Sequence, residues 1–373
     1  MKIAVNTRFL IKNKLEGIGW FTYESLKRMV HQHPQDEFYF LFDRPFDNEF
    51  IFSPNVHPVV LYPPARHPWL WYLWFEWAVP RALKKIKPDL FLSPDGYCSL
   101  RASCRQIMVI HDLAFEHFGD HVDARTLTYY RRNTPRYARK ADRIVTVSEF
   151  TRQDLIRLYQ INPDKIDVAW NGSNELFHPL TETERAQSRK DFADGADYFV
   201  YAGAIQPRKN IINMLLAFEK FKQATHAPVR FVIAGRNWDY TEAMKVHASL
   251  SCRDDVIFRG HLSRHELSRL LGGGFCLIYV SLFEGFGIPI VEAMNCDLPV
   301  ITSSVSSMPE VAGDAALLCD PASADDIAGA MIRIFRSESL RNELIQKGRE
   351  RRKLFSWQFT AEKLWNSMMK AME

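Results

Sequence analysis

The sequence predicts an α/β protein of two domains, each built on a parallel sheet. Three observations lead there. The 373 residues suffice for two domains of ordinary size, each burying its own core. Short apolar runs alternate with longer helical patterns, and strand–helix–strand repetition implies parallel pairing with right-handed crossovers. Many of the runs lack polar alternation, as strands buried on both faces should.

In chain order, the first series of strands is Ile3–Val5, Phe38–Phe42, Val59–Leu61, Leu90–Leu92, Ile107–Ile110, Ile144–Val147 and Ile166–Val168. The second is Phe199–Ala202, Arg230–Ala234, Val256–Phe258, Leu277–Val280, Pro299–Thr302 and Ala316–Leu318. Helical periodicity marks Trp20–Met29, Phe150–Tyr159, Ile211–Lys222, Arg264–Leu271 and Ala324–Arg336. The two series break within residues 176–196, a polar, Pro-containing stretch after the turn residues Asn171-Gly172. The linker is placed near Phe177–Leu180.

Composition narrows the function. Hydrophobic residues make up 47% and charged residues 25%, which excludes a disordered chain. The net charge of +4 is too small for a dedicated nucleic-acid binder. No apolar stretch is long enough to span a bilayer, and MKIAVNTRFL lacks the apolar core of a signal peptide. Six scattered cysteines form no Cys-x-x-Cys pair, so neither a zinc nor a redox motif is indicated. A cytoplasmic protein with free thiols is expected.

The strongest chemical signal is Ser281-Leu-Phe-Glu284-Gly285-Phe286-Gly287-Ile288-Pro289-Ile-Val-Glu292. It follows a predicted strand, and Pro289 suits the first turn of a helix. Glu284 would project from the Gly-rich turn and Glu292 from the helix. Amides of Gly285–Gly287 would face the space above the strand end, where α/β sheets bind ligands and helix N-termini receive phosphates. The bland alternative makes Glu284 a capping acid and Glu292 a surface residue. The second signal is Tyr201-Ala-Gly203-Ala-Ile-Gln-Pro207-Arg208-Lys209-Asn210, between a buried strand and a helix. A guanidinium fork, an ammonium and a helix dipole together suit a diphosphate. The alternative is a solvated basic turn. The third is His111-Asp112 at a strand's C-terminal end, against the alternative of a His satisfied by loop hydrogen bonds. The fourth is Gly17-Ile-Gly19 after the first strand, too distant and lacking the third Gly of a dinucleotide fingerprint, but reasonable as a flexible, closely approaching loop.

Together with Val145-Thr-Val-Ser148-Glu149, Asn171-Gly172 and Pro309-Glu310-Val, these segments resemble the retaining glycosyltransferases of family 4 along nearly the whole chain. His111-Asp-Leu-Ala and Tyr129-Tyr-Arg131-Arg resemble its mannosyltransferase-like members. The resemblance implies the GT-B fold, two Rossmann-like domains with parallel sheets facing across a cleft. Residues 1–177 would bind the acceptor and residues 178–355 the nucleotide-sugar donor. The helix within 356–373 would cross back to the N-terminal domain. By the same resemblance, Arg208 and Lys209 hold the donor diphosphate and Glu292 the ribose hydroxyls. Glu284, Gly285, Phe286, Gly287 and Ile288 surround the donor hexose. Gly203 lies in the diphosphate loop, and Gly260-His261-Leu262 meets the base through backbone. His111 sits beside the transferred sugar, and Gly17–Gly19 approaches the diphosphate and acceptor.

The expected reaction is retaining transfer of a hexose, with mannose from GDP-mannose as the reading within the subgroup, to a glycan or lipid-linked acceptor. His111, Arg208, Lys209 and Glu284 are the expected catalytic group. No Asp-x-Asp tripeptide occurs, so transfer is expected to be metal-independent, with no cofactor besides the nucleotide sugar. The alternatives are another GT-B sugar-nucleotide enzyme or a catalytically silent nucleotide-sugar-binding protein.

One segment stands outside this scheme. Trp69, Trp71, Trp74 and Trp77 fall at intervals of two or three, ahead of Arg81, Lys84, Lys85 and Lys87. Either this segment packs a helix into the N-terminal core, or its Trp and Lys/Arg residues meet anionic headgroups at the inner face of the membrane.

Overall fold

The computed structural model describes residues 1–236 and 241–373. It divides into two compact units: Met1–Asn171 with Ser356–Glu373, and Gly172–Phe355.

The first unit carries β1 (Lys2–Asn6), β2 (Glu37–Phe42), β3 (Val56–Val60), β4 (Leu90–Ser93), β5 (Arg105–Ile110), β6 (Arg143–Thr146) and β7 (Ile166–Val168). They form one sheet in the order β3-β2-β1-β4-β5-β6-β7, parallel at every pairing. The second unit carries β8 (Tyr198–Ala202), β9 (Arg230–Ala234), β10 (Val256–Gly260), β11 (Cys276–Tyr279), β12 (Val300–Ser303) and β13 (Leu317–Cys319). Their order is β10-β9-β8-β11-β12-β13, again all parallel. Central strands are sealed on both faces: Ile3, Ala4, Val5, Phe199, Val200 and Tyr201 have no exposed surface. Burial on both faces explains their continuous apolar character.

This winding positions the sites. In each sheet the strand order reverses once, between β1 and β4 and between β8 and β11. Ligands of open α/β sheets bind outside the carboxyl ends of the strands at such a switch point. The loops after β8 and β11 are therefore brought side by side although some 75 residues separate them, as the Arg208–Phe283 contact shows.

The polar stretch read as the break contains a helix, Glu182–Ala193, begun by a reciprocal capping box between Thr181 and Glu184. The final helix, Trp357–Met372, belongs to the first unit. Ser367 and Lys370 bond the Asp167 carboxylate at 2.7 and 2.8 Å, and Trp365 stacks on His33 at 3.5 Å. The Gly17–Gly19 segment is not a loop. It is the first turn of the helix Gly17–Gln32. A Cβ on Gly19 would lie 3.0 Å from the Phe9 carbonyl oxygen, so glycine allows the helix to begin against the segment that follows β1.

The tryptophan-rich segment divides. Trp74 is fully buried, Trp71 is half-buried, and Trp69 and Trp77 are exposed. A π-turn at Trp74–Ala78 joins the helices Pro68–Leu73 and Val79–Ile86. Its wider turn shifts the phase of the side chains, which explains the absence of one clean helical stripe.

Candidate functional site

Three expected site residues meet at the switch point of the second unit. Arg208 and Lys209 lie in a short 3-10 turn after β8, and Glu284 follows β11. Lys209 Nζ reaches Glu284 Oε1 at 2.5 Å, and Arg208 Nη1 reaches Oε2 at 3.2 Å. Arg208 Nη1 also donates to the Phe283 carbonyl at 2.5 Å. The Tyr279 hydroxyl donates to Glu284 Oε1 at 2.9 Å and accepts from Lys209 at 3.3 Å. Both Lys209 and Glu284 are buried.

Burial alone would raise the Glu284 carboxyl, but Lys209 and Arg208 outweigh it and hold it at about 2. It is therefore ionised throughout the neutral range. A carboxylate so firmly held is a poor proton donor and a weak nucleophile; its chemistry is to accept hydrogen bonds. Its lowered value stabilises the fold above the ordinary carboxylate range, and that contribution is lost only as pH falls towards 2. Two cations against one carboxylate leave the cluster one positive charge in excess, which favours an anionic ligand.

The glycine-rich loop is held from the other side. Glu284 N donates to Ser306 Oγ at 3.1 Å, and Ser307 Oγ donates to the Glu284 and Phe286 carbonyls, each at 2.9 Å. Gly287 adopts φ +107° and opens the helix Ile288–Asn295, with Pro289 in its first turn. Asn210, at φ +64°, ties the basic turn down by donating to the Val280 and Pro321 carbonyls at 2.9 and 2.7 Å.

The ends of β8, β9 and β10 form a crest of glycine backbone. Gly203 N donates to Ala234 O at 2.9 Å, and Gly235 N donates to Gly260 O at 2.7 Å. A Cβ on Gly235 would lie 1.7 Å from the Gly203 carbonyl oxygen, so no other residue fits. Gly235→Ala is expected to lower stability by about 1–3 kcal/mol or more. A wild-type thermal midpoint in that variant would contradict the requirement for glycine at this position. Gly260 has φ +64° and open space around it, with His261 exposed beside it and Leu262 half-buried.

Glu292 stands apart from the cluster. It is buried in the helix Ile288–Asn295, with Arg264 at 3.7 Å. Burial pushes its carboxyl up to about 7, while Arg264 pulls the other way. The two glutamates therefore differ in charge behaviour: one permanently ionised, the other poised near neutrality.

In the first unit, His111 follows β5. Its Nε2 lies 2.9 Å from the Pro94 carbonyl, which can only accept, so Nε2 carries the proton. Burial lowers the ring below the ordinary histidine range, leaving it neutral with Nδ1 as an acceptor. Asp112 does not hold the ring; its carboxylate accepts from Ala114 N at 2.9 Å. At the β1/β4 switch point, the buried Arg8 pairs with Asp95 at 2.5 Å and lies 4.2 Å from the centre of the Tyr97 ring.

Sequence reading overlooked Tyr279, Ser306, Ser307, Gly235 and the Arg8–Asp95 pair. A Gly directly after Arg230–Ala234 was a usable signal for Gly235. Nothing in the sequence marked Tyr279, which reads as one more apolar strand residue.

Comparison with known proteins joins this geometry to a family. Residues 182–351 match the model for glycosyl transferases group 1, and residues 15–175 match glycosyltransferase family 4. The chain carries a group 1 glycosyl transferase domain and a family 4 glycosyltransferase domain. The O-antigen chain mannosyltransferase B of Escherichia coli is 27% identical over 371 residues, 96% of this chain and 97% of the relative. The O-antigen chain mannosyltransferase RfbU of Salmonella typhimurium is 27% identical over 256 residues, 68% of this chain and 67% of the relative. Among solved structures, Anabaena HepE in complex with UDP and glucose superposes with a TM-score of 0.77 at 16% identity, covering 99% of this chain and 100% of that one. WaaG, a glycosyltransferase involved in lipopolysaccharide biosynthesis, gives 0.75 at 13% identity, covering 97% of this chain and 98% of that one. The glycosyltransferase thus has the α/β architecture of GT-B enzymes, two Rossmann-like domains each with a parallel sheet.

Proposed function

We propose that this glycosyltransferase moves mannose from GDP-mannose to a glycan or lipid-linked acceptor with retention of configuration. The observation that carries the reading is the Arg208–Lys209–Glu284 cluster at the switch point of a Rossmann-like sheet, with its excess positive charge. Mannose as the sugar rests on the nearly full-length similarity to the Escherichia coli mannosyltransferase.

Departure of a nucleoside diphosphate develops negative charge on phosphate oxygen. Arg208, Lys209 and the first amides of the helix Ile288–Asn295 are charges and dipoles fixed in advance, so they stabilise the leaving group without reorganising. This chemistry needs no metal ion, and metal-independent transfer is part of the proposal. The Glu284 carboxylate accepts from hexose hydroxyls and orients the sugar, while Gly285–Gly287 bring backbone close to it. His111 Nδ1 accepts from a hydroxyl of the transferred sugar. The acceptor attacks from the face that the diphosphate leaves. A panel of GDP-, UDP-, ADP- and dTDP-sugars, scored by donor hydrolysis, tests the donor. Cleavage of GDP-mannose in preference to the rest supports the reading, and cleavage of another sugar nucleotide alone overturns the donor assignment.

The Glu292 carboxyl gives a pH signature. A carboxyl raised to about 7 by burial stabilises the fold at low pH, and that contribution is lost as pH rises towards 7. Ribose hydroxyls donate to the ionised form. Nucleotide affinity should therefore rise between about pH 5 and 7 and then level off. Glu292→Gln should weaken binding and remove this component, leaving only the titration of the phosphates. Calorimetry of GDP across that range checks it, and identical profiles in both proteins would remove Glu292 from the ribose.

A further inference from the structure

We propose that the surface formed by residues 62–87 docks this protein on an anionic lipid bilayer. The inference stands on the surface of the first unit and does not depend on the transferase reading. Among the described residues, every exposed Trp and Tyr falls in this segment: Tyr62 and Trp69 are each 65% exposed, Tyr72 40% and Trp77 42%. Such residues carry an apolar body and a polar tip, the character suited to the headgroup level of a membrane.

The charge has the same address. The segment holds five basic residues, Arg66, Arg81, Lys84, Lys85 and Lys87, against a single acid, Glu76, so it carries the +4 of the entire chain. The five are exposed, whereas Glu76 is buried and accepts from Leu100 N at 3.1 Å. The outward face is therefore aromatic and purely cationic.

Aromatic and basic groups are also adjacent in space. Tyr62, Leu73, Trp77 and Arg81 line one groove. The guanidinium groups of Arg81 and Arg101 lie 5.0 and 4.8 Å from the centre of the Trp77 ring. A sugar stacking on Trp77 would have to displace them. Two forked donors beside an indole instead suit lipid phosphate, with the ring at the headgroup level. No helix among the described residues is long and apolar enough to cross a membrane, so this attachment is peripheral.

The test is co-sedimentation of the full chain with phosphatidylcholine vesicles, with and without phosphatidylglycerol. Binding is expected with phosphatidylglycerol and not without it. It should fade as salt shortens the screening length from about 30 Å at 0.01 M to about 3 Å at 1 M. Each basic residue near an anionic surface is worth roughly fivefold in binding, so K84E with K85E should lower partitioning by at least about 20-fold. Trp69→Ala with Trp77→Ala should also weaken it, and brominated lipid should quench the tryptophan fluorescence of the wild type. All four positions are exposed, so thermal midpoints should stay at the wild-type value. Absence of binding to anionic vesicles at low salt overturns the proposal. So does undiminished binding of both double variants, or retention by soluble polysaccharide in place of vesicles.

Discussion

Arg208→Ala or Lys209→Ala should lower turnover by at least about 100-fold, because losing one preorganised charge contact to a leaving group costs about 3–4 kcal/mol of transition-state stabilisation. The two should differ in their side effects. Arg208 is 17% exposed in its side chain and keeps one oxygen of Glu284 company, so its removal leaves Lys209 and Tyr279 in place on the other. The fold should survive with little change. Lys209 is buried, and its removal leaves Glu284 held by Arg208 and Tyr279. Some loss of thermal stability should accompany the loss of turnover. Steady-state kinetics with a saturating donor check both, and near-normal turnover in the two variants would abolish the leaving-group role.

Glu284→Gln is expected to lose both activity and stability. The amide keeps the shape but not the charge that two cations face. Removing one partner of a buried ion pair costs about 3–5 kcal/mol, because the remaining ammonium of Lys209 is left in a site that burial makes hostile to charge. Replacing both partners is far less costly. Glu284→Gln combined with Lys209→Met should thus recover most of the lost thermal midpoint and none of the turnover. Recovery of turnover in the double variant would show that the carboxylate matters only as a counterion. An unchanged midpoint in the single variant would contradict a buried, uncompensated charge at Lys209.

The residues that made the fold legible are the central strands. Ile107–Ile110 and Leu277–Val280 are apolar without alternation because successive side chains are buried on both faces, and the structure places β5 and β11 there. Elements with mixed signals were less legible. Glu182–Ala193 is polar nearly all round, and only the Thr181-x-x-Glu184 capping box announces it. The helix Ala124–Lys140 contains Pro135, which normally ends a helix, although Tyr129, Asn133 and Tyr137 recur four residues apart on its buried face. In the tryptophan-rich segment, the π-turn at Trp74–Ala78 displaced the periodicity.

The site was legible wherever charged residues bordered a strand end. Arg208, Lys209 and Glu284 had to meet once the strand order reversed between β8 and β11. Their neutral supports were not legible. Tyr279 lies inside a strand, and Ser306 and Ser307 act from the loop after β12, whose distance from Glu284 only the folded sheet sets. The different fates of the two glutamates also lay beyond sequence. Spacing made them a pair, whereas packing gives one two cations and the other a distant guanidinium.

Titration calorimetry of GDP into the wild-type protein and into Arg208→Ala and Glu292→Gln tests most directly that the switch point of the second unit is a nucleoside-diphosphate site. Stoichiometric binding to the wild type is expected, with at least about tenfold weaker binding in each variant, in line with a lost charge-assisted hydrogen bond worth about 1.5–3 kcal/mol. Equal affinity in all three proteins would contradict it.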